Sequence, residues 1–336
     1  MQFSPRVTIR DVAAQAGVSV ATVSKVINAR YGVAAETTQR VRAVIDELGY
    51  EASLVAQSLR NQRTNVIGVL VADIEPFSAE LLKGAADAIR GSGFELVVYS
   101  AGGRASEQVG WERRYLSRLS GTLLDGAVLV TPTITEADMR RGTPIVAVDP
   151  HTGPADLPTV AADSLAGARS AVEYLLQLGH QRIGLITGRP DLQSAQLREA
   201  GYRQALTDAG QAVDPALIVP GGYDPDVARE SARALLSSPS RPTAILGAND
   251  ISAIAVIDAA RSLGLSVPED LSVAGFDNIP ESALCDPPLT TVEQPIRAMG
   301  RRAVEMLIAL IRGEDVAERH LTLATRIVVR ASTAAR

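Results

Sequence analysis

Asp149 and Asp277 are the side chains most suggestive of chemistry. They close two apolar runs, PIVAVDP and LSVAGFDN, that occupy equivalent places in two halves of the chain. Two carboxylates facing across a gap are the apparatus of a glycosidase. They are equally the passive wall of a sugar-binding cleft, where each ligand hydroxyl needs a partner once it leaves water. Other apolar runs end in Asp73, Glu75-Pro76-Phe77, Gly188-Arg189, Tyr223, Asn249-Asp250 and Asn278. Carboxylate, amide and guanidinium groups around a few aromatic rings suit a polyhydroxylated ligand. Nothing in the sequence points to a raised pKa at either aspartate, so the passive reading leads.

Enzyme signatures are missing from the chain. There is no G-x-G-x-x-G after a strand and no G-x-x-x-x-G-K-[ST]. There is no G-x-S-x-G elbow either; the nearest run is Gly17-Val18-Ser19. Cys285 is the only cysteine, which excludes an internal disulfide and a cysteine metal cluster. His151, His180 and His320 lie far apart with no ligand spacing. No catalytic residue, metal or cofactor is therefore assigned. Trp111 and Phe276 read as packing residues, and Cys285 as a buried small apolar group.

The elements that carry the polar groups follow a regular order. VIGVLVADI, FELVVYS, GAVLVTP and PIVAVDP are apolar runs of strand length, with helical segments such as 79–91 and 105–120 between them. RIGLITGRP, LIVPGGY, AILGAND and LSVAGFDN repeat the series. Continuous apolar strands alternating with helices predict α/β architecture, with doubly wound parallel sheets covered on both faces. The duplication predicts two similar subdomains, with ligands held beyond the carboxyl ends of the strands, in the cleft between them.

The first residues are different. Thr8 and Asp11 have capping-box spacing, and Ile9, Val12, Ala13 and Ala16 form one apolar face. Gly17 allows a left-handed turn, Ser19 caps a second helix, and Val23 and Ile27 are expected to face inward. Val41, Val44, Ile45 and Leu48 repeat the spacing before Gly49. Three short helices with a tight glycine turn suggest helix-turn-helix, a geometry shared with small structural bundles. Residues 1–65 carry eight basic and five acidic side chains, against 25 and 33 in residues 66–336. A basic head on an acidic body fits a nucleic-acid reader joined to another module.

The run VTIRDVAAQAGVSVATVSKVINARYGVAAETTQRVRAVIDELGY resembles the DNA-binding head of the LacI/GalR family of bacterial transcription factors. LGHQRIGLITG, LREAGYRQAL, LGLSVPEDLSVAGFDN and PPLTTVEQPIRAMGRRAVEML extend the resemblance over essentially the whole chain, whose body is similar to periplasmic sugar-binding proteins. The resemblance puts the second helix in the major groove and matches Val20, Ala21 and Lys25 to its base-reading positions. Val20 and Ala21 can touch thymine methyls, and Lys25 can donate to guanine O6 and N7. Thr8, Ser19, Thr22, Ser24 and Asn28 complete the implied DNA contacts, the hydroxyl and amide groups being suited to phosphate oxygens. The resemblance also matches Phe77, Asp149, Arg198, Tyr223, Asn249 and Asp277 to effector contacts, beside Asp73 from the strand ends.

Residues 51–65, EASLVAQSLRNQRTN, join head to body. Ser53 can cap a short helix with Val55, Ala56 and Leu59 on one stripe; alternatively the segment is a solvated linker. The resemblance implies a hinge helix that orders on DNA, with Ala56 facing the minor groove and Leu59 wedged into it. The family often has Pro-Asn before this helix, where this chain has Ala52-Ser53, a less rigid entry.

The expected organisation is a head at 1–50, a hinge at 51–65, and an N-terminal effector subdomain at 66–162 with part of 291–325. The C-terminal effector subdomain is 163–290 with 326–336. The expected function is a DNA-binding transcriptional regulator: a homodimeric repressor on a pseudo-palindromic, double-stranded operator. A sugar or oligosaccharide inducer is the leading effector, with a purine or nucleoside co-repressor the alternative; the 4% aromatic content favours sugar. No apolar run approaches the ~20 residues of a membrane span, and the first residues lack an apolar signal core, so no membrane partner and a cytoplasmic location are expected.

Overall fold

A computed structural model describes residues 7–27, 31–50, 63–102, 111–119, 123–133, 143–151 and 157–336. The chain divides into two units, Met1–Thr64 and Asn65–Arg336. Asn28 and the hinge residues Ser53, Ala56 and Leu59 lie outside the described residues. Among the described residues, no helix is long and apolar enough to cross a membrane.

In the first unit, α1 (Ile9–Ala16) begins where the Asp11 carboxylate accepts from the Thr8 N–H and hydroxyl, each at 2.7 Å. Gly17, at φ 65°, turns the chain. Ser19 then starts α2 (Val20–Ile27), its Oγ accepting from Thr22 N at 3.1 Å. α3 (Ala35–Leu48) stops at Gly49. Val12, Ala13, Ala16, Val23, Val26, Val41 and Val44 form one buried cluster. Val26 accompanies Val23 inward, and Ile27, half-buried at the end of α2, packs against the same cluster.

The second unit holds two six-stranded sheets. The first has the order β2-β1-β3-β4-β5-β11: Glu95–Ser100, Val66–Val71, Gly126–Val130, Ile145–Val148, Thr159–Ala162 and His320–Leu323, all parallel. The second has the order β7-β6-β8-β9-β10-β12: Ile218–Pro220, Ile183–Thr187, Ala244–Gly247, Ser272–Asp277, Thr290–Glu293 and Arg326–Val328. Only β12 runs antiparallel there. β1, β3, β4, β8 and β9 are buried along their whole length, which is why they read as unbroken apolar runs.

Helices cover the sheets: α4 (Pro76–Ile89), α5 (Trp111–Leu119), α6 (Ser164–Gln177), α7 (Gln193–Asp208), α8 (Pro225–Leu236), α9 (Asp250–Ser262), the short α10 (Pro280–Leu284) and α11 (Ile296–Arg312). The predicted helix at 79–91 starts earlier, at Pro76, because Glu75 caps it and proline is well placed in a first turn. α11 follows a strand of the second sheet yet packs on the first, Met299, Val304 and Leu307 joining Ile67, Val128 and Val146. It crosses α4 at two glycines. A Cβ on Gly84 would lie 1.9 Å from Arg297 O, and one on Gly300 2.1 Å from Leu81 O. The chain thus passes between lobes three times, after β5, after β10 and between β11 and β12.

In both sheets the strand order reverses beside the first strand of the set, β1 or β6. The crevice beyond the carboxyl ends at such a reversal is where α/β sheets hold ligands.

Candidate functional site

In the first unit, α2 presents an exposed face. Val20 is 39% exposed, and Ala21 and Lys25 are exposed beside it, while Val23 and Val26 of the same helix are buried. The helix carries no acidic side chain in its first turn, and Lys25 stands in its last. The Ser19 and Thr22 hydroxyls bond each other at 2.9 Å at its start. The Thr8 hydroxyl already donates to Asp11, holding that carboxyl below its ordinary pKa. Its proton must be released from Asp11 before it can serve a phosphate. Ser24 is half-buried.

The second unit encloses a cavity of about 470 Å³ between its lobes. All seven expected effector residues, Asp73, Phe77, Asp149, Arg198, Tyr223, Asn249 and Asp277, line it. Asp149 follows β4 and Asp277 ends β9, equivalent strands of the two sheets. Asp73 is exposed at the wall, its Oδ1 accepting from Ile74 N at 2.8 Å. Asn249 also caps α9, Oδ1 accepting from Ser252 N at 2.9 Å. The cap accounts for that oxygen and leaves its amide nitrogen for a ligand.

Arg198 organises the floor. It sits on α7, 4% exposed, where NH1 donates to Ala248 O at 2.5 Å and to Asp277 Oδ1 at 3.3 Å. Its guanidinium carbon lies 3.8 Å from the Phe276 ring centroid and 5.9 Å from that of Tyr223. Phe276 is thus the buried packing residue expected, with the added role of a cation–π seat. Burial works against the Arg198 proton, but Tyr223, Asp277, Asp149 and Asp250 outweigh it and raise its pKa.

Burial also pushes both aspartates up, Asp277 to about 7 and Asp149 to about 6; Arg198 opposes the rise in each case. Sequence gave no sign of this, because the raising comes from depth and one guanidinium cannot offset it. Asp250, behind the wall, is raised well above the carboxylate range by burial and by Asp277, while it accepts from Thr291 Oγ1 and from Ile279 N. Cys285 is half-buried rather than buried; it packs against the apolar core of the second lobe, and its thiol donates to Ser282 O and Pro287 O.

Backbone strain gathers here. Thr131, Asp149, Tyr223 and Asp277 line the cavity with φ of 47°, 45°, 62° and 121°. Non-glycine residues rarely take such angles, which concentrate at ligand clamps. Tyr223 lies against Gly188, where a Cβ would come 2.3 Å from its Cζ. Elsewhere between the lobes His151 Nδ1 of the first meets Asp191 Oδ2 of the second at 3.2 Å, and His151 O accepts from Gln193 N at 3.2 Å.

Sequence reasoning missed Gln294, Ser194, Leu192, Ile251 and Ile279, which also line the cavity. Gln294 Nε2 donates to Asp277 Oδ1 at 2.6 Å. It stands just beyond β10, so the strand-end rule would have found it. The strand TTVE, with three polar residues in four, does not read as an apolar run.

Known proteins carry the same two parts. Residues 8–53 match the model for bacterial regulatory proteins of the lacI family, and residues 172–333 that for a periplasmic binding protein-like domain. The HTH-type transcriptional repressor PurR of Aliivibrio salmonicida (strain LFI1238) is 35% identical over 336 residues, covering 97% of this chain and 98% of that protein. The HTH-type transcriptional repressor CytR of Escherichia coli (strain K12) is 32% identical, covering 98% and 96%. Among solved structures, a transcriptional regulator CelR–cellobiose complex matches with TM-score 0.73 and 32% identity, covering 97% of this chain and all of that one. A lac repressor dimer bound to operator and the anti-inducer ONPF matches with TM-score 0.84 and 29% identity, covering 98% and 100%. Relatives above 30% identity that align along nearly the whole chain leave no separate module to explain, and the chain belongs to the LacI family of bacterial regulatory proteins.

Proposed function

We propose that this protein is a cytoplasmic transcriptional repressor that binds a pseudo-palindromic operator as a homodimer and is released by a sugar inducer held between the lobes of its second unit. The observation that carries the reading is the shared cavity, walled by Asp149 from one lobe and by Asp277 and Arg198 from the other. A ligand bridging both walls favours one lobe arrangement over another, and only such a difference in affinity can move the protein between states. The match to a cellobiose-bound regulator supports a sugar, and the match to an operator-bound dimer supports the assembly.

In this reading the exposed face of α2 reads bases through Val20, Ala21 and Lys25, and residues 51–65 form a hinge helix with Leu59 as its wedge. A purine or nucleoside co-repressor is the second reading. It is favoured by the placement of Phe77 and Tyr223, one ring from each lobe on the cavity wall, where a flat base could lie.

The test is an anisotropy titration on the protein's own upstream DNA at fixed salt, with and without a pooled sugar panel. Tight binding released by sugar supports the inducer reading. Binding that needs an added purine reverses the sign of the effector, and the absence of specific binding rejects the regulatory role.

A further inference from the structure

The identity of the effector is narrowed by which hydrogen-bonding groups in the cleft remain unengaged. This inference rests on the reading above, that the cleft holds the effector. Helix N-termini are the usual seats of phosphate, because their first amides and their dipole both favour an anion. Four helices begin at this cleft, and three of the starts are capped by a side-chain acceptor of the chain itself. Glu75 takes the Phe77 and Ser78 amides of α4 at 2.8 and 2.9 Å. Asp224 takes the Asp226 and Val227 amides of α8 at 2.8 and 3.0 Å. Asn249 caps α9. α7 has no side-chain cap; its Gln193 amide donates to His151 O at 3.2 Å, while the neighbouring Asp191 carboxylate holds Arg189 through two hydrogen bonds at 3.2 and 2.7 Å.

Both arginines on the wall are therefore engaged, Arg189 by Asp191 and Arg198 by Ala248 O and Asp277. Facing them are Asp73, Glu75, Asp149, Asp224 and Asp277. The unengaged groups of the wall are the uncharged Asn249 amide nitrogen and Tyr223 hydroxyl, beside acceptors in want of a proton. Gln294 is 2% exposed, and the bond from its Nε2 to Asp277 fixes which way its amide lies. Its Oε1 is left buried without a partner. A buried acceptor in that state asks for a ligand donor.

We propose that the cleft selects uncharged, polyhydroxylated molecules and excludes their phosphate esters. Ligand hydroxyls satisfy Gln294 Oε1 and the carboxyls of Asp277 and Asp149. A phosphate would set its charge against those carboxyls, with both arginines engaged and three of the four helix starts capped. A free sugar and a nucleoside share the required chemistry.

The experiment uses the full chain without DNA, in thermal unfolding and calorimetry at matched ionic strength. The probes are pools of neutral mono- and disaccharides, nucleosides, sugar phosphates and nucleoside monophosphates, with inorganic phosphate alone as a further arm. The expected result is stabilisation by a neutral pool, resolved to a compound that binds about a hundredfold or more tightly than its phosphate ester. Whether the sugar or the nucleoside pool responds identifies the source. Tighter binding of an ester, stabilisation by inorganic phosphate, or no stabilisation by either neutral pool overturns the proposal. DNA takes no part in this readout, so neutral-selective binding that leaves operator affinity unchanged in either direction would reject the regulatory reading and leave this one standing.

Discussion

Gln294 donates its amide to Asp277 Oδ1 at 2.6 Å, so one side chain both steadies a buried carboxyl and presents a buried acceptor. Gln294→Met keeps the bulk and removes both functions. Effector affinity is expected to fall roughly three- to tenfold, the worth of one neutral hydrogen bond to a ligand, with operator affinity unchanged. Calorimetry with the effector and anisotropy with operator DNA check the two halves.

Asp277→Asn retains an acceptor for Arg198 and Gln294 but removes the charge. Effector affinity should fall roughly tenfold or more while the free protein still holds operator. The variant should also change the pH profile of folding. A carboxyl raised to about 7 in the folded state favours folding below its unfolded value of 3.8, and that contribution disappears as pH rises through 7. Urea unfolding of the native protein should therefore lose stability between pH 5 and 8 relative to Asp277→Asn. Parallel profiles for the two proteins would reject the assignment.

Gly188→Ala tests the seat of Tyr223. The added Cβ would come 2.3 Å from the phenol Cζ, so the ring must move. Crowding of this kind costs about 1–3 kcal/mol, part of it recoverable by swinging the ring into the cleft. The expected signature is weakened effector binding with cooperative unfolding preserved, read by calorimetry and circular dichroism.

Lys25→Ala removes a cation from the exposed face of α2. Discrimination at one base pair should drop by roughly 1–3 kcal/mol. Binding to a set of single-base operator variants measures it; equal weakening on every sequence would instead make Lys25 a phosphate contact.

The sequence was most legible where one physical cause dominates. Buried parallel strands read as unbroken apolar runs, so eight of the twelve described strands and all seven cleft residues on their ends and neighbouring helices could be named. Short polar elements were not legible, which is how β10, and Gln294 with it, escaped. Glu75 looked like a strand-end ligand group, but its main work is to cap α4, a role visible only once the helix start is seen at Pro76. The raised pKa values of Asp149 and Asp277 depend on depth, which no local pattern encodes. Asn28 and the hinge residues Ala56 and Leu59 stand as sequence expectations outside the described residues.

The placement of α11 on the first sheet bears on how the chain is made. Residues forming most of that sheet leave the ribosome first, but the helix covering Ile67, Val128 and Val146 begins only at Ile296. At ordinary rates of synthesis the interval is on the order of ten seconds, during which the second lobe emerges nearly complete. A nascent chain stalled before Ile296 carries an apolar sheet face covered only in part, by α4. The first lobe is begun first but completed late, and its exposure during that wait makes it the natural client of a ribosome-associated chaperone.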